Sequence, residues 1–594
     1  MRDFARRWLA VALFVLPCSV AATPAPSSSA AWLALLHADQ DGHSRIDSAG
    51  FFISAEGARD PQAEWQATLD GFRDDPALAC RYPARWQLMR AHEPQLADLP
   101  PDACADYARW RERLGTRGVT LVLASAYLGN PSSTFGHTFL RLDADGSPLL
   151  AWAVNFAAQT QDQPGPSYAI KGLAGGYTGR FSLGPYYDKV AEYAYLEQRN
   201  LWEYPLKLDA AALDRLLAHL WELQHAGFDY FFLDENCSFQ LLALIQASRP
   251  ELPLTRGFDL FAAPVDTIRR LQAHGLIDAV AYRPALRDTL EGRLQQLDAE
   301  QQAAVQAILK SPGAVLPEQP RVLDVVADLA RYRSAVGVLG RRPDAARKAR
   351  WLALEEQALS TRSGLQQASG WLPAPAPPAP DQSHLSQRLG AGGLALDGVS
   401  QLVLDWRPAL HDLLDGAYGL AADSEIAILD TQLSVRSGTW RLQRLSLIDV
   451  RSLPPRDAWF SPWSWQVAAG YRRDLADGQG LWRLAGGLGL SRTLGVSASL
   501  LGQAAAVLGE GGQRGLEYGA ELVLRERWHA NAPWQISVQH TRRVGRIVGD
   551  GDDRTWLRVG QHWQINPRWG LRVQFAHEHR SRRDVLEAQL MRYF

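Results

Sequence analysis

The C-terminal third of the chain alternates apolar and polar residues with a period of two. From about residue 384 to residue 594 it divides into about twelve segments, separated by turns rich in Gly, Asp, Asn or Pro. Leu571 and Val573, for example, flank Arg572. Such alternation is typical of β-strands that have one apolar and one polar face. The pattern predicts an antiparallel β-barrel of about twelve strands over residues 384–594.

Aromatic residues and the chain terminus favour an outer-membrane barrel over a soluble sandwich or a closed soluble barrel. Barrels that cross the outer membrane carry aromatic girdles at both interfaces. Phe594 resembles the terminal assembly signal of such barrels. Arg592, two residues earlier, would face the lipid on the same side of the strand as Phe594, so its side chain must extend the charge towards the interface. Near predicted strand ends lie Trp463, Trp465, Trp482, Trp528, Trp534, Trp556, Trp563 and Trp569.

The N-terminus predicts a secretory signal peptide over residues 1–22. Three arginines precede the apolar stretch Trp8–Leu16, and small residues follow at Val20–Ala22. Cys18 suggests a lipoprotein, but Pro17 before it fits a lipidation site poorly. Export would place the mature chain in an oxidising compartment.

The cysteines single out one thiol. After removal of the signal peptide, Cys80, Cys104 and Cys237 remain. Cys80 and Cys104 are disulfide candidates, which would leave Cys237 as an odd and reactive thiol. The alternative is that none of the three is paired.

Cys237 stands where a helix is predicted to begin. Phe239 and Leu242 show helical spacing after it, and Asp234 and Asn236 before it are residue types that cap helices. A helix N-terminus favours a thiolate, and its free N–H groups, or the Asn236 side chain, are candidates to hold an oxyanion or substrate.

His137 lies one hundred residues earlier, in a segment with strand alternation. A Cys on a helix start facing a His on a strand is the arrangement of papain-like enzymes, with Cys237 as nucleophile and His137 as base. Asn155, on the next predicted strand, either orients the imidazole or bonds to backbone. The plainer alternative makes Cys237 a small core residue and His137 a structural hydrogen-bonding group.

The segments Gly136–Leu142 and Glu235–Leu242 together resemble the family of the Lnb N-terminal periplasmic domain. Lnb is a bacterial lipoprotein N-acyltransferase. The order of His before Cys also resembles circularly permuted relatives of the NlpC-type peptidases, including lecithin retinol acyltransferase. The resemblance spans roughly residues 120–260. It implies a cysteine acyltransferase, or an amide or ester hydrolase, of papain-like fold.

The whole chain is therefore predicted to be an α+β protein with several domains. Two further residues are site candidates. Tyr127 is either an oxyanion donor or a packing residue. Lys171 lies in a segment predicted to be flexible, and its side chain either contacts an anionic substrate or is simply solvated. The predicted regions are a helical region at 30–118, a papain-like α+β domain at 119–262, a helical region at 263–370, a Pro-rich linker at 371–383 and the barrel. Within the second helical region, Ala285–Leu309 is predicted to form one helix.

The net charge of the chain argues against one class of function. A net charge of −2 gives no sign of nucleic-acid binding, and we expect neither a cofactor nor a metal. We expect a thiol-dependent acyltransferase acting on a phospholipid or lipoprotein, anchored in the outer membrane with its catalytic domain in the periplasm. The alternatives are a cysteine hydrolase or peptidase of cell wall or lipid, and a non-enzymatic outer-membrane protein. The acyl donor and acceptor and the oligomeric state stay open.

Overall fold

The computed structural model describes most of the chain beyond the predicted signal peptide. Residues 1–22, the predicted signal peptide, and Tyr127 lie outside the described residues. The described ranges are 26–96, 98–99, 103–126, 135–162, 166–311, 313, 315–335, 344–416, 419–420, 423–474, 478–526, 529, 531–545 and 552–594.

Helices occupy the N-terminal two thirds of the chain. The described α-helices are α1 (Ala30–Leu35), α2 (Pro61–Asp74), α3 (Pro83–His92), α4 (Ala105–Leu114), α5 (Pro166–Leu173), α6 (Tyr186–Val190), α7 (Ala210–Glu222), α8 (Cys237–Ser248), α9 (Pro264–Ala273), α10 (Leu286–Gln295), α11 (Ala299–Lys310), α12 (Pro320–Ala335) and α13 (Ala345–Gly364). A π-helical segment, Ala191–Leu196, continues α6.

Strands fall into two groups. The N-terminal strands are β1 (Gly118–Ala124), β2 (His137–Asp143), β3 (Trp152–Gln159), β4 (Tyr177–Pro185), β5 (Leu201–Leu206), β6 (Phe228–Tyr230) and β7 (Ala281–Arg283). The C-terminal strands are β8 (Arg388–Leu396), β9 (Val399–Arg407), β10 (Ala409–His411), β11 (Ser424–Arg436), β12 (Thr439–Ser452), β13 (Pro455–Arg456), β14 (Ser464–Arg473), β15 (Gly480–Leu494), β16 (Val496–Gly509), β17 (Arg514–Arg525), β18 (Trp534–Gly545), β19 (Asp552–Asn566), β20 (Trp569–Glu578) and β21 (Arg583–Tyr593).

The N-terminal strands form one antiparallel sheet in the order β6-β4-β3-β2-β1-β5-β7. Helix α8 packs against β2 and β3, and α7 packs on α8. Every residue of α8 except Gln246 is buried, which fits a helix that is apolar on all sides. The opposite face of the sheet is covered by α6 and the π-helical segment, through Tyr186 and Tyr193.

The helical region after the sheet differs in detail from the sequence expectation. Residues 285–309, expected as one helix, form α10 and α11 with a break at 296–298. Asp298 caps α11 and Gln301 completes the capping box, so a local signal sets the break. Lys171 lies in α5 rather than in a flexible segment.

The C-terminal strands close into a barrel. β8, β9, β11, β12 and β14 to β21 pair antiparallel with their neighbours, and β21 closes the ring by pairing with β8. These are twelve strands, while β10 and β13 are short additions. The fold class predicted from the sequence is confirmed: helices and an antiparallel sheet are followed by an antiparallel barrel.

The outer wall of this barrel is apolar and its interior is polar. Leu484, Leu500 and Leu516 point outwards and are 63%, 58% and 58% exposed, while Glu517 and Glu521 point inwards and are buried. A soluble protein would reverse this arrangement, so the outer wall faces lipid. The barrel is therefore of the outer-membrane type.

The interfacial residues behave largely as expected. Arg592 points outwards and stacks its guanidinium 5.6 Å from the ring centre of Trp569. Trp563 also points outwards, but Trp556 is buried on the inward side of β19 and is not part of a girdle. Trp528 lies outside the described residues. In the described ranges, no helix combines the length and the apolar character needed to cross a membrane.

The barrel end at which β8 begins and β21 ends contacts the N-terminal domains. We call it the periplasmic end. There Tyr204 donates a hydrogen bond of 2.6 Å to Asp381, just before the barrel. Phe261 and Val265, on either side of the start of α9, pack with barrel residues such as Ile426. The sheet domain is thus held directly against the barrel.

Candidate active site

The start of α8 positions Cys237, a buried free thiol. Asn236 is the N-cap: its Oδ1 accepts hydrogen bonds from the N–H groups of Ser238 (3.0 Å) and Phe239 (3.3 Å). Its Nδ2 donates to the carbonyl of Ala262 at 2.9 Å. The Asn236 side chain is therefore occupied as a cap, which shapes the first turn around Cys237.

Strand register positions His137. β2 begins at His137, whose Cα partner on β1 is Ala124. The Nε2 of His137 lies 2.6 Å from Oδ1 of Asn155 on β3. Since an amide oxygen only accepts, Nε2 carries the proton, and Nδ1 is left for the thiol of Cys237. The structure thus brings together Cys237, His137 and Asn155, the three residues singled out in the sequence.

The electrostatics of this group favour a thiolate. Burial by itself raises the pKa of Cys237, but the charge and hydrogen bond of His137 outweigh burial and lower the pKa from 9.0 to about 6. Burial lowers the pKa of His137, yet the thiolate and the hydrogen bond to Asn155 raise it above its ordinary value. The two shifts together favour a thiolate–imidazolium pair over a neutral thiol and imidazole.

Two hydroxyl groups lie near the sulfur. Thr138 Oγ1 and Ser238 Oγ are 4.0 and 3.9 Å from Sγ of Cys237 and are hydrogen-bonded to each other at 3.1 Å. The backbone of Thr138 and the hydroxyl of Ser238 both help to lower the pKa of Cys237. The site is thus polar around the thiolate while closed to bulk water.

Tyr230 is a site residue that the sequence analysis missed. Tyr230, at the end of β6, lies close enough to Cys237 for the backbone and side chain of that residue to affect the pKa of the Tyr230 hydroxyl. Burial raises the pKa of Tyr230 well above its ordinary value, so the phenol stays protonated and can donate. The alternation of Phe228, Tyr230 and Phe232 before Cys237 was the available signal, because it places all three rings on one buried face.

Tyr193 and Arg199 support the imidazole ring of His137 from the side of the π-helical segment. The ring of Tyr193, on the π-helical segment, lies 5.6 Å from that of His137. Arg199 stacks 4.9 Å from the ring of Tyr193, and its Nη2 donates to the carbonyl of Ala124 at 2.9 Å. Arg199 thus ties the end of β1 to the segment that covers His137.

The other candidates have different surroundings. Lys171 is half exposed and forms an ion pair of 2.8 Å with Asp162, which neutralises its charge. Cys80 and Cys104 are joined by a disulfide. Within the described ranges, no group of His, Cys, Asp and Glu side chains is arranged to hold a metal ion.

Comparison with known families agrees with the geometry. The family model of the Lnb N-terminal periplasmic domain matches residues 106–274, which include strands β1 to β6 of the sheet, α8 and the three residues above. Two further models, described as domains of unknown function DUF7843 and DUF7840, match residues 27–92 and 377–594. A search of curated proteins found no match.

Several solved outer-membrane proteins align with the barrel region. The KdgM porin, solved in complex with disordered oligogalacturonate, is 8% identical, with 35% of this chain and 99% of that chain covered and a TM-score of 0.23. The translocator domain of the autotransporter NalP from Neisseria meningitidis is 14% identical, with 36% and 90% covered and a TM-score of 0.22. Omp33 of Acinetobacter baumannii is 10% identical, with 36% and 100% covered and a TM-score of 0.20.

The barrel assignment itself rests on the closed twelve-stranded topology and the apolar outer wall. This chain therefore joins a domain that matches the Lnb N-terminal periplasmic domain to an outer-membrane barrel, with the matched domain at the periplasmic end.

Proposed function

We propose that this protein is a thiol-dependent acyltransferase that acts on lipid or lipoprotein substrates at the periplasmic face of the outer membrane. The observation that carries the proposal is the buried Cys237–His137–Asn155 group, in which His137 lowers the pKa of Cys237 to about 6. The match to the Lnb N-terminal periplasmic domain supports it, because the resemblance in the sequence implies a cysteine acyltransferase.

The first half-reaction acylates the enzyme. The thiolate of Cys237 attacks the carbonyl carbon of a lipid ester, forming a C–S bond and a tetrahedral oxyanion. The proposed donors to that oxyanion are the backbone N–H of Cys237 and the hydroxyl of Tyr230, whose pKa Cys237 affects. Collapse breaks the C–O bond, and the imidazolium of His137 gives its proton to the departing alkoxide. The products are a lysolipid and an S-acyl Cys237.

The second half-reaction transfers the acyl group. An amine or hydroxyl of the acceptor attacks the thioester carbonyl, and neutral His137 takes the proton from the attacking atom. The C–S bond breaks and the thiolate of Cys237 is restored beside an imidazolium. Asn155 holds the imidazole ring in the same orientation for both steps.

Burial favours transfer over hydrolysis. Cys237 is 3% exposed and His137 is 7% exposed, so a thioester on Cys237 would be shielded from bulk water. A cysteine hydrolase or peptidase would use the same residues but release the acyl group to water. A non-enzymatic role would require neither the lowered thiol pKa nor the orientation of His137.

The test is to incubate the detergent-purified protein with phosphatidylethanolamine and measure its intact mass. We expect an increment of one acyl chain, mapped to Cys237 and absent from Cys237→Ser and His137→Ala. Addition of a diacylated lipopeptide with a free N-terminal amine should then move the acyl group to that amine. Release of free fatty acid without transfer would favour the hydrolase, and the absence of both adduct and release would contradict the acyltransferase and a lipid hydrolase alike.

A further inference from the structure

A large cavity separates the helical region from the outer wall of the barrel. Its volume is about 3050 Å³, well above the roughly 300–1,000 Å³ of ordinary small-molecule sites. One side is formed by α10, α12 and α13, and another by residues that follow β1 or belong to the π-helical segment. The remaining sides are the segment 454–463 and the barrel strands β14 to β17.

The barrel side of this cavity is part of the lipid-facing wall. Val467, Leu488 and Tyr518 line it and are 44%, 52% and 47% exposed. Gly486 and Gly502 also line it, and a Cβ built on Gly486 would meet no atom within 4 Å. Small residues therefore form a shallow groove between larger apolar side chains. The cavity is continuous with the surface that contacts acyl chains.

The groove reaches well into the membrane. Ala504 lines the cavity eight residues along β16 from Val496, at the periplasmic end. At roughly 3.3 Å per residue this is about 26 Å along the strand, and less along the membrane normal because barrel strands are tilted. An acyl chain lying in the groove would stay within the hydrocarbon layer while its headgroup reached the helices.

Six carboxylates and four cations line the cavity. Its carboxylates have partners: Glu197 pairs with Arg199 at 2.9 Å, Glu291 with Arg287 at 2.8 Å and Asp423 with Arg525 at 3.0 Å. The other three, Glu192, Asp288 and Asp457, bond to Lys189, to Asn200 and to the backbone N–H groups of Trp459 and Phe460.

Unpaired charges of both signs line the cavity: Asp288 and Asp457 bond to neutral groups, while the unpaired cations lie together on α12 and α13. Arg333, Arg347 and Lys348 line the cavity without a carboxylate at ion-pair distance among the residues that the structure describes. Arg333 stacks 5.1 Å from Trp351, and Arg347 lies near enough to lower the pKa of Arg333 further than burial alone does. Three cations beside an apolar groove match an anionic headgroup and its acyl chains.

The far end of the cavity approaches the candidate active site. Ser125 and Ala126 line it and directly follow Ala124, the Cα partner of His137 on the neighbouring strand, about 5 Å away. Glu192 and Leu196 line it from the π-helical segment whose Tyr193 covers His137. One wall of the cavity is therefore formed by the same two segments, the end of β1 and the π-helical segment, that pack around His137.

We propose that this cavity binds a diacyl phospholipid taken laterally from the periplasmic leaflet of the outer membrane, with the phosphate at Arg333, Arg347 and Lys348 and an acyl chain along the groove of β14 to β17. The inference deepens the proposed function, on which it rests, by naming the acyl donor and the route by which it reaches Cys237.

Photocrosslinking tests the cavity without requiring catalysis. Full-length Cys237→Ser protein is placed in phosphatidylethanolamine vesicles that contain a phosphatidylglycerol with a diazirine on one acyl chain. We expect crosslinks concentrated on the cavity segments of β15 to β17 and α13. Crosslinks spread evenly around the barrel would overturn the proposal, whether or not the wild-type protein transfers acyl groups.

Two variants sharpen this test. Ala504→Trp fills the groove and should lower crosslinking to α13 at least fivefold, whereas Ala588→Trp, an outward alanine on β21 that does not line the cavity, should leave it unchanged. Retained heat-modifiable mobility on gels shows that both barrels are folded. Equal crosslinking in the two variants would contradict the proposal.

The charge test uses the triple variant Arg333→Gln, Arg347→Gln and Lys348→Gln. It should lower crosslinking of phosphatidylglycerol at least fivefold. The matched control replaces Arg90, Arg109 and Arg117, three exposed arginines paired with aspartates outside the cavity, by glutamine. The same loss in both triple variants would reduce the effect to net charge and overturn the assigned phosphate position.

Discussion

Both the sheet domain and the barrel bury polar side chains, but they do so in opposite ways. In the sheet domain the buried polar groups converge on one sulfur, and the pKa of Cys237 falls to about 6. In the barrel the buried charges neutralise one another around the turn Asp412–Asp415, which lies inside the lumen near its periplasmic end.

The contacts of that turn show the difference. Asp415 pairs with Arg407 at 2.6 Å and Arg572 at 2.8 Å, and Asp412 pairs with Arg388 at 2.7 Å. Leu414 reaches the opposite wall, where a Cβ on Gly560 would approach it to 2.7 Å. A network of mutually paired charges of this kind holds structure, whereas the polarised Cys237–His137 pair is prepared for chemistry.

The largest expected effect comes from breaking the charge network of the lumen. Asp415→Ala leaves Arg407 and Arg572 buried without that partner and should destabilise the barrel by about 3–5 kcal/mol. The measurement is the temperature at which the heat-modifiable gel shift is lost. Asp553→Ala, which breaks an exposed barrel pair with Arg542, should cost less than about 1 kcal/mol. Equal losses would show that the lumen network contributes no more to stability than an exposed ion pair.

Tyr230→Phe removes one proposed oxyanion donor without changing the ring. Acylation of Cys237 by phospholipid should slow by about 10²–10³-fold, as expected for one such donor. Alkylation of Cys237 by iodoacetamide should change far less, since that reaction forms no oxyanion. Parallel losses in both reactions would show that Tyr230 acts on the thiolate rather than on the oxyanion.

Asn155→Ala removes the hydrogen-bond acceptor of Nε2 of His137. Because the residue orients His137 and does not touch the reacting atoms, acylation should slow by about 10- to 100-fold, the range seen for outer groups that orient a histidine. Asn155→Gln is the matched control for the amide and should recover part of the rate. Unchanged rates in both would make Asn155 a structural residue only.

Local patterns predicted the parts of the structure that depend on nearby residues. The helix start at Cys237, the strand of His137 and the alternation of the barrel all come from spacing within a few residues. Tyr230, Arg199 and the lumen turn were not predicted, because their partners lie on other elements. The break between α10 and α11 had a local signal, the capping box of Asp298 and Gln301, that the periodicity concealed.

The junction cavity depends on how separate modules meet. Arg333 and Arg347 look like solvated surface residues in the sequence, and they gain a shared role only when α12 and α13 stand beside the barrel wall. Likewise, the groove of Gly486 and Gly502 acquires a second side only from the helices. Spacing along one chain segment carries no information about such contacts.

The most direct test of the central claim is the pH dependence of Cys237 alkylation by iodoacetamide in wild type and His137→Ala. A folded-state pKa of about 6, below the ordinary value of 9.0, means that the thiolate is lost as pH falls through 6 and present above it. The rate should rise with a midpoint near pH 6 in wild type. In His137→Ala the largest contributions that oppose burial are lost and only those of Thr138 and Ser238 remain, so the midpoint should rise well above 6, towards the ordinary value of 9.0.

Acyl transfer should also fall at high pH, because the leaving alkoxide needs the proton of His137, whose own pKa is raised. A wild-type alkylation midpoint near 9 that His137→Ala does not change would contradict the account.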